Sequence, residues 1–199
     1  SISSGQVLQS PYSYDKAKLI VREMAELLAL DLVSKKLVAE QLVLTIGYDI
    51  ENVTDNYNGS VTIDYYGRAI PKHAHGTINL DYKTSSSKII TEAMVKLYDR
   101  IINPKLSVRR VTMAATKLAN EEEGKDKVRY RQLDLFSSLD DENNKLDYDR
   151  EFLRNENNLQ NAMLKIKEKY GKNAILKGMD LEDGATTRDR NRQIGGHHE

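Results

Sequence analysis

The residues with the clearest binding chemistry are five in the middle of the chain, Gln132-Leu133-Asp134-Leu135-Phe136. They follow a basic stretch and precede an acidic, asparagine-rich segment. A short apolar cluster between polar segments has little of its own domain to pack against, so we expect it to bind a partner and to become ordered on contact. Leu135 and Phe136 would fill a pocket, and the Gln132 amide would fix the register through hydrogen bonds. An ordinary edge strand or helix start is the alternative interpretation.

Candidate catalytic and metal-binding groups are sparse. The sequence contains no glycine-rich phosphate loop and no recognisable pairing of a nucleophile with a base. Asp140-Asp141-Glu142 has the residue types of a metal site, but its polar surroundings favour a solvated charge run. His73 and His75 would share one side of a strand, yet no third ligand is evident. We therefore expect no cofactor in this chain.

Composition narrows the class of protein. The chain has 199 residues, with 30 Lys and Arg balanced by 30 Asp and Glu, so net charge does not indicate nucleic acid. The charges are segregated, however, because residues 105–118 carry four bases and no acid, whereas residues 134–160 carry eight acids and three bases. Cysteine is absent, which excludes disulfides and thiolate metal sites.

No apolar run approaches the roughly 18 residues of a membrane span, and no signal peptide is visible, so we expect a cytoplasmic protein without a membrane partner. The chain starts at Ser1 without a methionine, and we expect it to be a piece of a longer protein.

The elements that must position these residues follow from apolar periodicity. Two helices inserted in a β-α-β-β-α-β order pack on one face of a four-stranded antiparallel sheet, which gives an α+β fold and leaves the other face for water or a ligand. The predicted elements are a strand over 2–9, a helix from Ser13 or Asp15 to about Lys36, strands over 38–48 and 76–82, a helix capped within 85–87 and ended before Pro104, and a strand over 106–118.

The remaining segments are predicted to be more polar. Residues 49–71 indicate a surface excursion with a small hairpin at 60–66, and one more helix is expected from about 148 to 170, followed by a polar tail. We divide the chain into a domain over 1–120, a linker over 121–145 that carries the apolar pentapeptide, and a helical extension with its tail over 146–199.

This arrangement resembles the little finger domain of Y-family (UmuC/DinB-like) translesion DNA polymerases. The pentapeptide resembles the motif by which bacterial polymerases and repair proteins attach to the sliding clamp. Ser1-Ile2-Ser3-Ser4-Gly5-Gln6 is similar to the segment that enters this domain, and Ser107-Val108-Arg109-Arg110-Val111 resembles the arginine pair on its last strand. Residues 171–176 and 185–197 look like the C-terminus of UmuC-like polymerases from Gram-positive bacteria.

The resemblance implies a region that holds template–primer DNA by its backbone, with little sequence preference, and docks on the sliding clamp during translesion synthesis and DNA repair. Because Arg109 and Arg110 are strand neighbours, their side chains leave opposite faces unless a bulge intervenes, and the sequence does not decide which one faces DNA. The residues expected to contact DNA are Ser3, Ser4, Gly5, Lys72, His73, Thr77, Arg109, Arg110 and Lys117.

The family's catalytic Mg²⁺ ions are held by acidic residues of a palm domain that is not found in this sequence, so we expect no polymerisation by this chain alone. The helix over 148–170 and the tail over 188–192 leave several candidate roles open: docking on the polymerase core, contact with upstream DNA, or binding to a recombinase filament or an accessory mutagenesis protein. The alternative function is that of a non-enzymatic adaptor that binds the clamp. A small hydrolase is the least favoured class, because the sequence offers no candidate nucleophile.

Overall fold

The structure is a computed structural model that describes residues 1–122 and 139–192. Its strands and helices are β1 (Ile2–Tyr12), α1 (Tyr14–Ser34), β2 (Leu37–Tyr48), β3 (Val61–Ile63), β4 (Ala69–Pro71), β5 (Ala74–Thr84), α2 (Ser87–Ile101), β6 (Val108–Thr116), β7 (Ala119–Asn120), α3 (Leu139–Tyr170) and α4 (Thr187–Arg190). Short 3-10 turns lie at Ile50–Asn52 and Gly178–Leu181. None of the helices in the described ranges has the length and apolarity needed to cross a membrane.

The main sheet is antiparallel, with its strands in the order β1-β6-β2-β5, and β7 extends it by pairing with the start of β2. Helices α1 and α2 pack on each other and on this sheet. The predicted α+β fold is confirmed, and so is the β-α-β-β-α-β order of its main elements.

The core lies between the two helices and one face of the sheet. Along β2, Leu42, Leu44 and Ile46 are fully buried, whereas the residues between them belong to the opposite face. Helix α1 contributes Ile20 and Met24 at helical spacing, both fully buried. Burying each of these side chains contributes roughly 1.5–3 kcal/mol relative to leaving it exposed. This apolar layer determines which face of the sheet is left without a helix in the part of the chain that the structure describes.

Gly76 on β5 lets helix α2 approach the sheet closely. A Cβ atom at this position would lie 2.8 Å from Cγ2 of Ile101 and 3.0 Å from Cδ1 of Leu97. The first distance is shorter than real Cβ contacts and the second is unusually tight, so a larger residue would require the α2 side chains to shift.

Several predicted boundaries differ from the structure, and three of the differences are larger than two residues. Strand β1 runs through Pro11 to Tyr12, because an edge strand tolerates a residue that cannot donate a ladder hydrogen bond. The small hairpin spans residues 61–71 rather than 60–66, and its turn contains Gly67 at φ +77°. Helix α3 begins at Leu139 rather than near residue 148, so it extends beyond the segment in which apolar residues recur at helical spacing.

Asp99 joins the two helices through a small polar cluster on the surface. Lys18 Nζ lies 2.7 Å from its carboxylate, and the Tyr14 hydroxyl donates a hydrogen bond to it. Burial by itself raises the pKa of Asp99, but the bonds from Lys18 and Tyr14 outweigh it, so the pKa lies below its ordinary value. A carboxyl group whose pKa is lowered by folding stabilises the fold at every pH above its ordinary pKa. This contribution is lost as the pH falls through the lowered pKa.

We therefore expect the wild-type chain to be more stable than Asp99→Asn at neutral pH, and to lose that advantage below about pH 4. Because both side chains are partly exposed and screened by solvent, the difference should be at most about 1 kcal/mol. Urea denaturation of both proteins across a pH series measures it. A constant difference between the two proteins at every pH would contradict this role of Asp99.

Candidate nucleic-acid interface

The sheet face opposite α1 and α2, called the open face below, is formed by alternate residues of the four main strands. One row across it consists of Ser3, Ala114, Val43 and Thr77, and the next consists of Gly5, Thr112, Thr45 and His75. The residues on the outer strands β1 and β5 are exposed, and those on the inner strands are half-buried. The open face therefore presents small side chains and hydroxyl groups to solvent.

The polar groups of the open face are arranged by cross-strand hydrogen bonds. The Thr45 hydroxyl lies 2.9 Å from Nδ1 of His75. At one end of the sheet the Gln41 amide donates to Asn79 at 2.9 Å, and Lys117 Nζ lies 3.5 Å from the same Asn79 oxygen. Hydroxyl groups, amides and cations are the groups with which proteins contact the phosphates and sugars of DNA. Because the surrounding side chains are short, an extended phosphate backbone can approach this surface.

A β-bulge on β6 decides where the arginine pair points. Arg110 pairs with Val7 and Gly47, and the next paired residue is Val108, so Arg109 is the additional residue. Simple alternation places Val108 on the same face as Arg110, and the structure corrects this. Val108 and Val111 are both fully buried because the bulge resets the alternation, and Arg110 lies exposed on the open face.

The two arginines consequently have different surroundings. Arg109 donates to the backbone oxygen of Gln9 at 3.0 Å, and its Nε lies 3.7 Å from the nearly buried carboxylate of Asp49. Arg110 lies opposite Gly47, where a Cβ atom would come within 3.2 Å of the Arg110 Cβ. Arg109 therefore holds together the end of the sheet, whereas Arg110 is the arginine available to a ligand on the open face.

The structure places the other predicted DNA-contacting residues as follows. Ser3, Gly5 and Thr77 share the open face with Arg110. Lys72 and His73 are exposed just before β5, at the same end of the sheet as Arg110.

Lys117 lies at the other end of the sheet, in a left-handed turn with φ +51°. Ser4 alternates with Ser3 and Gly5, so its side chain lies on the helix side of β1, where its hydroxyl accepts a hydrogen bond from Arg190. Ser4 thus offers the open face only its backbone.

Thr45 and Thr112 are central to the open face but were not among the predicted site residues. The alternation of β2 contained the necessary signal for Thr45, because it placed this residue opposite the apolar Leu44 and Ile46. The predicted partner-binding residues 132–136 lie outside the described residues. Within 1–122 and 139–192, no group of three His, Cys, Asp or Glu side chains lies close enough together to hold a metal ion.

Comparison with known families agrees with the resemblance drawn from the sequence. The family model described as the impB/mucB/samB family C-terminal domain matches residues 1–135, which include the whole main sheet and both helices packed on it. No curated protein matches the chain. The family match spans more than half of the 199 residues. The chain therefore belongs to the impB/mucB/samB C-terminal domain family, the little finger region of Y-family DNA polymerases.

Proposed function

We propose that the open face binds the phosphate backbone of template–primer DNA on behalf of a Y-family translesion polymerase. The observation that carries the proposal is the bulge at Arg109, which turns Arg110 onto the same uncovered face as Ser3, Gly5 and Thr77. Neutralising phosphates with such cations releases counterions, which drives association without reading sequence. The exposed Lys72 adds a second cation at this end of the surface, and the exposed His73 adds a hydrogen-bonding group.

Contacts of this kind suit lesion bypass. A damaged template base cannot be checked by close fit, whereas a strand held by its phosphates can carry a distorted base through the active site. The open face supplies hydroxyl groups and one arginine but no group of metal ligands among the described residues. We assign to this chain the holding of DNA by its backbone.

The test separates the two arginines. Arg110→Ala should weaken primer–template binding by about tenfold, the value of one charge-assisted hydrogen bond. It should also reduce the slope of log affinity against log salt by about one. Arg109→Ala is the matched control, because it removes the same charge from a residue whose bonds are internal; its slope should stay close to that of the wild type. Fluorescence anisotropy with a labelled primer–template at several salt concentrations measures both quantities.

Equal slopes for wild type and Arg110→Ala would overturn DNA binding by the open face. Absence of measurable DNA affinity in the wild-type chain would favour the alternative function, a non-enzymatic adaptor that binds the clamp. Loss of slope in Arg109→Ala but not in Arg110→Ala would likewise overturn binding by the open face and would place the DNA contact at the end of the sheet beside Asp49.

For docking on the sliding clamp, the proposal rests on residue chemistry. Residues 132–136 combine a glutamine amide with Leu135 and Phe136, the pair suited to a hydrophobic pocket. On the side that precedes them β7 pairs with β2, and on the side that follows them α3 packs on α1. The segment is therefore connected at both ends to elements of the DNA-binding domain, which suits a tether between the domain and a ring on the same DNA.

A further inference from the structure

Residues 171–192, called the C-terminal strap below, pack back onto the first helix and first strand of the domain although they lie outside the family match. Two salt bridges fix its course along α1. Lys177 Nζ lies 2.7 Å from a carboxylate oxygen of Glu26, and Lys16 Nζ lies 2.7 Å from one of Asp183. The sequence predicted only a polar tail here, so this docking is a property of the tertiary structure.

A buried carboxylate anchors the end of the strap. Glu23 on α1 is only 2% exposed, and it accepts hydrogen bonds from the backbone N–H groups of Thr186 and Thr187 at 2.9 Å and 3.0 Å. The Thr186 hydroxyl lies 3.2 Å from the same carboxylate. These donors begin the short helix α4, so Glu23 holds the start of α4 against α1.

From this anchored turn, Arg190 reaches strand β1. Its guanidinium donates to the Ser4 hydroxyl and lies 3.5 Å from the side-chain oxygen of Gln6. The Gln6 amide in turn donates to the Thr186 hydroxyl at 2.8 Å. Both strand residues are thus held from the helix side by one turn of the strap.

Strand β1 needs such support. Among the described residues it is an edge strand that pairs with β6 alone, and its ladder is irregular between Val7 and Tyr12. Its first half contains serine and glycine, which lack the β-branched or aromatic side chains that favour strands. Because side chains alternate along a strand, holding Ser4 and Gln6 on one side also fixes Ser3 and Gly5 on the other.

We propose that Arg190 is a positioning residue for DNA binding: by holding Ser4 and Gln6, it sets Ser3 and Gly5 in the open face against the phosphate backbone. This inference rests on the proposed function of the open face. It adds that a segment on the opposite side of the sheet takes part in DNA affinity through strand β1 alone.

The test compares two arginines of the same turn in the full 199-residue chain. Arg190→Ala should weaken binding to a labelled primer–template by roughly fivefold, because contacts made by β1 are lost. The salt slope should stay close to that of the wild type, because Ser3 and Gly5 are neutral and release no counterions. Arg188→Ala removes the same charge from an exposed side chain two residues earlier, and its affinity should stay within about twofold of the wild type. Arg190→Lys keeps the charge but not the forked donor geometry, so it should restore only part of the affinity.

A double-mutant cycle separates positioning from general stabilisation. If Arg190 acts through β1, the losses caused by Arg190→Ala and Ser3→Ala should be less than additive. Additive losses, or a lower melting temperature with unchanged affinity at a temperature where the variant is folded, would overturn the inference. Should Arg190→Ala fail to fold, Ser4→Ala removes the bond to Arg190 from the strand side and faces the same criteria.

The outcomes distinguish the two proposals. If Arg110→Ala weakens DNA binding and Arg190→Ala does not, the positioning role fails and the proposed function stands. If neither change alters the affinity, the open face is not the DNA-binding surface and both proposals fail.

Discussion

Glu23→Ala is expected to lower the free energy of unfolding by roughly 2–4 kcal/mol, the largest stability effect of any single change considered for this chain. The alanine would leave the backbone N–H groups of Thr186 and Thr187 without their carboxylate partner at a position that is nearly sealed from water. A buried donor without a partner costs about 1–3 kcal/mol. Urea denaturation followed by circular dichroism measures the change.

Glu26→Ala is the matched control, since it removes a carboxylate one helical turn away on α1. Its salt bridge to Lys177 spans 2.7 Å, but burial raises the pKa of Glu26, which shows that its charge is itself costly in this position. Loss of the bridge and relief of that cost oppose each other, so we expect a change of at most about 1 kcal/mol. Equal destabilisation by the two variants would contradict the anchoring role of Glu23.

Leu135→Ala combined with Phe136→Ala is expected to abolish measurable binding to the sliding clamp, with a loss of at least about a hundredfold. Buried apolar anchors at an interface each contribute about 2 kcal/mol or more when truncated, and two of them act together here. Surface plasmon resonance with immobilised sliding clamp measures this affinity directly. Affinity for primer–template DNA should stay nearly unchanged, because DNA binding is assigned to the open face.

Ser137→Ala with Ser138→Ala controls for this change, since it alters two adjacent residues without removing an apolar anchor. The control should bind the clamp like the wild type. If the Leu135 and Phe136 variant still binds the clamp, residues 132–136 are not the clamp-binding segment and the contact lies elsewhere in the chain. A parallel loss in the serine variant would show that the segment acts by its conformation rather than through its apolar pair.

The family and the fold could be predicted from the sequence because their signals are local. Alternation in β2 identified Leu42, Leu44 and Ile46 as one face, and helical spacing identified the apolar stripe of α1. The order of these elements then left few ways to pack two helices on one sheet. The existence of an open face could also be predicted, because two helices packed on one face of a sheet leave the opposite face accessible to a ligand.

The assignment of individual side chains to that face depended on the tertiary structure. Alternation alone places Val108 and Arg110 on the same face of the sheet. Only the register of β6 against β1 and β2 reveals the bulge at Arg109. Ser4 was predicted to contact DNA with its neighbours, whereas its hydroxyl is bound by Arg190 from the other side.

The sequence by itself determined the main strands and helices, because periodicity and propensity act over a few residues, and its motifs carried the resemblance to the family. The tertiary structure decided how Glu23 and the C-terminal strap come together. Glu23 and the backbone N–H groups that it binds are more than 160 residues apart in the sequence. A local sequence pattern cannot predict a hydrogen bond over that separation. Pairings of this kind are set by burial, since a carboxylate enclosed by the fold must find donors wherever the chain brings them.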